Sequence, residues 1–301
     1  MGPKIRRVLL SLATLTFVGV ASGADDVLGK SEERIGLWPE GHVPDFDMRQ
    51  TGGWLVFHDV AHPSTRAFFL VAQGGSYMHT RPGGDYAEAL AYFKERGIRC
   101  AELVYRSPRP STGPRHRSAW QDVQRAVRIC RHRANDWDID PNRIGIIGFS
   151  AGGHLSLMAA VSSKTAAYAD VDELDRTFCN VNFAVAVYPA YTVMEWDNMK
   201  GGFIGESKGR ENDFRLTMAP ELKFDAATPP ICIFHGDADY VPPIGSVLVY
   251  QKLRTMGVSA ELHMLARRPH GFVANPKSKK PLPPSSWKDR VVEWLGVMDL
   301  L

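Results

Sequence analysis

Residues 143–161 read RIGIIGFSAGGHLSLMAAV and contain the pattern that decides the fold. Their first part, residues 143–149, is almost entirely apolar, as expected of a short strand that is buried on both faces. Residues 155–161 read as a helix that follows almost at once. The segment therefore predicts a strand, a tight turn and a helix, which is the unit from which parallel sheets are built.

Strand-like and helix-like segments alternate along the rest of the chain. Further strands are predicted at 54–60, 66–72, 99–105, 183–187, 231–234 and 261–265. Helices are predicted at 85–95, 118–136, 246–255 and 286–298. We therefore expect an α/β fold, with a mainly parallel central sheet and helices on both faces. In such sheets, ligands bind at the loops that follow the carboxyl ends of the strands.

The first 24 residues differ from the remainder. Lys4, Arg6 and Arg7 precede an apolar run over residues 8–20, and small residues follow up to Ala24. This order is typical of a secretory signal, so we expect cleavage near Ala24, a single catalytic domain over residues 25–301 and a secreted or periplasmic protein. The apolar run of about 13 residues is shorter than the roughly 20 needed to cross a bilayer, so no membrane span is expected after cleavage.

The charge balance argues against polyanionic partners. The chain has 36 basic and 33 acidic residues, and three of the basic ones but none of the acidic ones lie in the predicted signal. The remainder is formally neutral and offers no simple electrostatic attraction for nucleic acid or an anionic membrane.

The four cysteines would be free to pair in an exported protein. Cys100 and Cys232 lie in apolar strand-like runs and Cys130 lies on a predicted helix, whereas Cys179 has no such context. Buried thiols are therefore the favoured interpretation. Because no C-x-x-C spacing occurs, a cysteine-based zinc or redox site is not expected.

A candidate nucleophile lies at the junction of the predicted strand and helix. Gly148, Ser150 and Gly152 fit the pattern G-x-S-x-G. The glycines lack a Cβ atom, so a strained turn can close between them and the serine hydroxyl can project above the sheet. A serine–glycine helix start would have the same letters, but the flanking strand and helix favour the nucleophile.

A serine hydroxyl needs an adjacent base that a carboxylate orients. With this type of elbow, the order along the chain is serine, then aspartate or glutamate, then histidine. Asp237 and Asp239 follow the strand predicted at 231–234, and His270 follows the one at 261–265. We predict a triad of Ser150, Asp239 and His270. Asp237 is the alternative carboxylate, and otherwise a turn residue.

Acyl transfer also needs backbone N–H groups that stabilise an oxyanion. Ala151, which follows the nucleophile, is predicted to supply one. Gly75 or Ser76, in the loop after the strand at 66–72, is predicted to supply the other, although a Gly-Gly pair also occurs in plain turns.

The remaining candidates lie around these positions. The aromatic residues Tyr77, Trp196 and Tyr240 are predicted to line an acyl or sugar pocket, or else to form small local cores. His154, one turn after Ser150, is interpreted as packing or hydrogen bonding under the elbow. His58, Asp59 and His62 do not share a face, so no metal ligands are predicted, and no cofactor is expected.

Several longer stretches together resemble the acetyl-xylan-esterase-like branch of the bacterial α/β-hydrolase fold esterases. They are IDPNRIG at 139–145, GFSAGGH at 148–154, APEL at 219–222, TPP at 228–230, HGDADYVP at 235–242 and HGF at 270–272. The resemblance covers roughly residues 35 to 300. It implies an α/β-hydrolase fold, the triad Ser150, Asp239 and His270, and a serine esterase that hydrolyses O-acyl esters, often acetyl groups on plant cell-wall polysaccharide. The expected partner is thus an acylated carbohydrate or small ester.

The likeness has one departure, in the loop predicted to hold the oxyanion. Members usually carry Pro-Gly-Gly-Gly-Tyr or a His version, whereas this chain has QGGSY at 73–77. If the third glycine of the family has a positive φ, Ser76 would be strained in its place. Two alternatives stay open: a peptidase related to prolyl oligopeptidases, which uses the same triad, and, because of the altered loop, a non-catalytic, polysaccharide-binding relative.

Overall fold

A computed structural model of the chain describes residues 32–80, 83–161, 165–194, 216–272 and 287–301. The residues from Glu32 to Leu301 form one unit of the fold. The predicted signal segment lies outside the described residues, so its cleavage stays a prediction. Among the described residues, no helix is long and apolar enough to cross a membrane.

Eight strands form one sheet in the order β1-β2-β4-β3-β5-β6-β7-β8. They are β1 Glu32–Gly36, β2 Trp54–His58, β3 Phe68–Ala72, β4 Arg99–Val104, β5 Ile144–Phe149, β6 Phe183–Val187, β7 Ile231–Gly236 and β8 Ala260–Leu265. The pairings of β1 with β2 and of β2 with β4 are antiparallel, and the other five are parallel. The predicted, mainly parallel sheet is confirmed.

Helices cover both faces of this sheet, as the sequence predicts. They are α1 Asp85–Glu95, α2 Arg117–His132, α3 Ala151–Ala160, α4 Ile244–Thr255 and α5 Trp287–Val297. Alternate residues of each buried strand point to opposite faces. In β3, Phe68 and Leu70 therefore join the core under α2, α3 and α4, whereas Phe69 and Val71 join the core under α1 and α5.

One strand escapes sequence analysis and one helix is longer than expected. β1 reads EERIG and pairs with β2. Its three consecutive charged residues give no apolar pattern from which a strand could be predicted. Charged side chains are common on edge strands because they discourage pairing with other chains. α3 begins at Ala151, directly after the nucleophile candidate, instead of at residue 155.

The buried strands also explain the state of three cysteines. Cys100, Cys130 and Cys232 are buried as free thiols, as the sequence indicates. Burial raises the pKa of each thiol well above its ordinary value, because a thiolate would be desolvated there.

Candidate active site

Ser150 occupies a strained elbow between β5 and α3. Its backbone has φ 55° and ψ −115°, a conformation that few residues other than glycine adopt. A Cβ atom on Gly148 would lie 1.9 Å from the carbonyl oxygen of Gly152, so only glycine fits there. Hydrogen bonds of 3.0 Å fix the elbow to the end of β6, from Ser150 N to Val187 O and from Ala190 N to Ser150 O.

The structure brings the three predicted triad residues together. His270 Nε2 lies 2.9 Å from Ser150 Oγ, and His270 Nδ1 lies 2.8 Å from Asp239 Oδ2. An ionised carboxylate can only accept hydrogen bonds, so Nδ1 carries the proton and Nε2 is left to accept from the Ser150 hydroxyl. This tautomer is the one that lets an imidazole act as general base toward the serine.

Asp239 is the better placed of the two candidate carboxylates. It is only 1% exposed, and its Oδ1 accepts a 2.8 Å hydrogen bond from Val241 N. Burial alone would raise its pKa, but hydrogen bonds from His235 and His270 outweigh burial and hold the pKa below its usual value. Asp237 is exposed and accepts a hydrogen bond from the backbone N–H of Arg267, as a turn residue does.

The oxyanion candidates lie beside the nucleophile. A Cβ atom on Gly74 would lie only 3.4 Å from Ser150 Cβ, so the loop after β3 packs directly against the elbow. Gly75, Ser76 and Tyr77 all have positive φ, at 125°, 58° and 59°. The strain foreseen at Ser76 is therefore present. Ala151 is the first residue of α3, where backbone N–H groups have no partner within the helix.

Gln73 holds this loop in place through two hydrogen bonds, a role that sequence analysis missed. Its backbone oxygen accepts a 3.0 Å hydrogen bond from Tyr105 Oη, and its Nε2 donates to the Glu102 carboxylate on β4. Burial raises the pKa of Glu102, although hydrogen bonds from Tyr86 and Gln73 oppose the rise. Gln73 stands where members of the resembled branch carry Pro or His, and that departure was the signal available.

The three predicted substrate-lining aromatics differ in position. Tyr240 is 36% exposed and its ring centroid lies 4.8 Å from that of His270, which suits substrate contact. Tyr77 is 1% exposed and its hydroxyl lies 2.9 Å from His154 Nδ1, so it supports the loop from inside. Trp196 lies outside the described residues. His154 itself is fully buried beneath the elbow, as interpreted from the sequence.

Tyr188 also contacts the triad and was not singled out from the sequence. Its ring packs edge-on against His270 with centroids 4.8 Å apart, and its backbone φ is 37°. It directly follows β6, and residues just beyond the carboxyl end of a parallel strand are those that the topology brings to the site.

The site combines a serine on a strand–turn–helix elbow with an imidazole that is bonded to a buried carboxylate. These residues occur along the chain in the order serine, aspartate, histidine. This combination defines an α/β-hydrolase of the serine type. The BD-FAE family profile matches residues 59–253. The chain therefore belongs to the BD-FAE family of α/β-hydrolase esterases, which are carboxylic ester hydrolases.

The chain is similar to curated proteins named for activities on xylan. The chain is 30% identical over 218 residues to an acetylxylan esterase of Xylanibacter ruminicola, an alignment that covers 70% of this chain and 42% of that protein. It is 27% identical over 219 residues to endo-1,4-beta-xylanase B of Butyrivibrio fibrisolvens, covering 70% of this chain and 33% of that protein. The chain thus spans less than half the length of these relatives.

Solved structures agree on the fold. An acetyl ester-xyloside bifunctional hydrolase from Caldicellulosiruptor lactoaceticus superposes with a TM-score of 0.70 at 25% identity, covering 89% of this chain and 97% of that one. The butyrate-bound esterase Est2 of Thermogutta terrifontis superposes with a TM-score of 0.65 at 21% identity, covering 90% of this chain and 96% of that one.

Proposed function

We propose that this chain is an exported serine carboxylesterase that removes O-acetyl groups from plant cell-wall polysaccharide. The observation that carries the proposal is His270, whose two ring nitrogens lie within hydrogen-bond distance of Ser150 and Asp239. The acetylxylan esterase and the acetyl ester-xyloside hydrolase among its relatives support an acetylated xylan as the substrate class. The secretory pattern of residues 1–24 supports export to where such polymers are found.

In acylation, Ser150 Oγ attacks the ester carbonyl carbon while its proton passes to His270 Nε2. Asp239 stays ionised and stabilises the imidazolium that forms. The backbone N–H of Ala151 and that of Gly75 or Ser76 stabilise the oxyanion. Collapse of the tetrahedral intermediate breaks the bond to the sugar oxygen, which leaves with the proton from His270.

In deacylation, a water molecule takes the place of the sugar alcohol. His270 accepts a proton from this water as the water attacks the acetyl carbonyl, and a second tetrahedral intermediate forms. His270 then returns the proton to Ser150 Oγ as acetate leaves, so the enzyme is regenerated. All steps use groups of this chain and the two substrates.

Tyr240 is the described aromatic side chain best placed to meet the sugar. It is partly exposed and packs beside His270, where the leaving alcohol receives its proton. An aromatic face provides apolar area for a sugar ring at low entropic cost, because the side chain has few rotamers. We therefore assign Tyr240 to the sugar side of the scissile ester.

A screen of acetate release tests the substrate class. Acetylated xylan, pectin and mannan are compared with small aryl acetates, at matched acetyl concentration. The proposal requires acetate from at least one polysaccharide and gives xylan the highest kcat/KM. Acetate release from aryl acetates alone would overturn the polysaccharide assignment and leave the esterase class intact.

The two alternative functions predict different results when peptide amides, polysaccharide binding and organophosphonate labelling are tested beside the screen. A peptidase would cleave peptide amides as fast as acetyl esters. A non-catalytic binding protein would retain polysaccharide without releasing acetate, and an organophosphonate would not label it.

Export is tested separately: the mature protein recovered from the medium or periplasm should begin near Asp25.

A further inference from the structure

Two histidines and a glutamate gather next to the oxyanion loop, outside the triad. His116 directly precedes α2, His154 lies within α3 and Glu221 lies in the loop after residue 216. Glu221 Oε1 lies 3.6 Å from His154 Nε2 and 3.9 Å from His116 Nδ1. One ligand atom from each residue falls within 4.8 Å of the other two. The triad mechanism uses none of these side chains.

One nitrogen in this cluster is buried without a hydrogen bond. The His154 ring is fully buried, and its Nδ1 lies 2.9 Å from Tyr77 Oη. Its Nε2 faces Glu221 but makes no hydrogen bond within the described residues, because 3.6 Å exceeds hydrogen-bond distance. Buried polar atoms nearly always have a partner, so one without a hydrogen bond that points into a cluster of ligand groups marks a candidate position for a bound ion.

The donor set suits zinc. Two imidazole nitrogens and one carboxylate oxygen form the three-ligand set in which Zn²⁺ keeps a fourth position for water. Ligand atoms of a tetrahedral zinc lie about 3.3 Å apart when the bonds are about 2.0–2.1 Å. The separations of Glu221 from the two histidines, 3.6 and 3.9 Å, therefore need these side chains to close by a few tenths of an ångström, and the two imidazole nitrogens lie within 4.8 Å of each other.

The surroundings of the cluster favour metal ligation. The Tyr77 hydroxyl fixes the ring of His154 through Nδ1, as an outer partner of a metal-ligating histidine does. The three side chains are of the types that bind metals, as neutral imidazole and ionised carboxylate.

One neighbouring cation bears on the site. The guanidinium of Arg115 lies near His116, where its charge raises the cost of further positive charge. It packs over the ring of Tyr191, 4.3 Å from the centroid. The Glu221 side chain is 28% exposed, which gives an ion a route into the cluster from solvent.

We propose that His116, His154 and Glu221 bind one zinc ion, with water as the fourth ligand. The ion would tie the start of α2, helix α3 and the loop at 219–222 together next to Tyr77. The site is separate from the triad, and its role is to hold the oxyanion loop against the elbow.

Zinc titration by calorimetry on the chelator-treated full chain tests this proposal, with metal content measured after dialysis. Wild type should bind one zinc per chain. Glu221→Gln and His116→Asn should each weaken binding more than about 100-fold, because loss of a ligand exceeds the roughly 10–100-fold effect of an outer partner. His263→Asn is the matched control, since it removes a histidine paired with Glu261 at 2.6 Å on β8 and should bind as wild type does.

Glu221→Gln is a nearly isosteric change at a partly exposed position. Circular dichroism verifies that each variant is folded. Failure of the wild type to retain zinc would overturn the proposal whatever the variants do. Binding that survives Glu221→Gln and His116→Asn but is lost in His270→Asn would also overturn it, because the ion would then lie at the triad.

Discussion

The Nε2 atom of His235 lies 3.3 Å from Oδ2 of Asp239, so a second buried histidine contacts the carboxylate that orients His270. His235 is fixed in turn, because its Nδ1 lies 2.7 Å from Ser246 Oγ and its Nε2 lies 3.2 Å from the carbonyl oxygen of Val241. This network lowers the pKa of Asp239 although the residue is buried. His235 is therefore a positioning residue for the triad.

Replacing His235 by Asn removes this contact. We expect the pKa of Asp239 to rise and kcat/KM to fall about tenfold, with the acid limb of the pH–rate profile displaced to higher pH. Profiles of the variant and the wild type measure both effects. Asp237→Asn, at an exposed turn two residues from Asp239, should keep the wild-type profile. Superimposable profiles for His235→Asn and wild type would contradict the assignment.

Asp239 also makes stability depend on pH. The pKa of Asp239 in the folded chain lies below the value of about 3.9 that is typical of an unfolded aspartate. Between these two pKa values, the unfolded chain therefore binds more protons than the folded chain does. The stabilisation is complete above the unfolded value and is lost as pH falls through the folded one. Between about pH 5 and pH 3, the urea midpoint should therefore fall further in wild type than in Asp239→Asn. Equal losses in both proteins would refute this linkage.

The positive φ of Ser76 predicts a stabilising substitution. Ser76→Gly relieves a backbone conformation at φ 58° that disfavours side chains. The free energy of unfolding should rise by about 0.5–1 kcal/mol, since glycine's larger unfolded-state entropy offsets part of the gain. Ser76→Ala keeps the Cβ atom and should show no gain in urea unfolding. A Gly variant no more stable than the Ala variant would rule out strain at this position.

The hydrogen bond from Gln73 to Glu102 predicts a loss that is mainly catalytic. Gln73→Ala removes the side chain that holds the oxyanion loop to β4, so kcat should fall while KM changes little. Stability should fall by about 1–2 kcal/mol as Glu102 loses a donor. Gln50→Ala is the control, because this residue bonds Pro108 and Ser118 away from the loop and should affect stability alone. Unchanged kcat in Gln73→Ala would contradict the anchoring role.

The sequence predicted the features that depend on neighbouring residues. The buried strands appear as apolar runs, and the elbow appears as glycines on either side of Ser150, because both requirements are local. β1 was missed because the pairing of its charged residues is set by β2. The cluster of His116, His154 and Glu221 was missed for a similar reason, since only the folded chain brings these distant positions together.

The central claim is that Ser150 forms an acyl-enzyme under the control of His270 and Asp239. Mass spectrometry of the protein quenched during turnover of an aryl acetate tests it most directly, with peptide mapping of the modified residue. We predict one acetyl group per chain, on Ser150, and a loss of acetate release by at least about 1,000-fold in Ser150→Ala. An acetyl group on another residue, or turnover by Ser150→Ala at the wild-type rate, would contradict the claim.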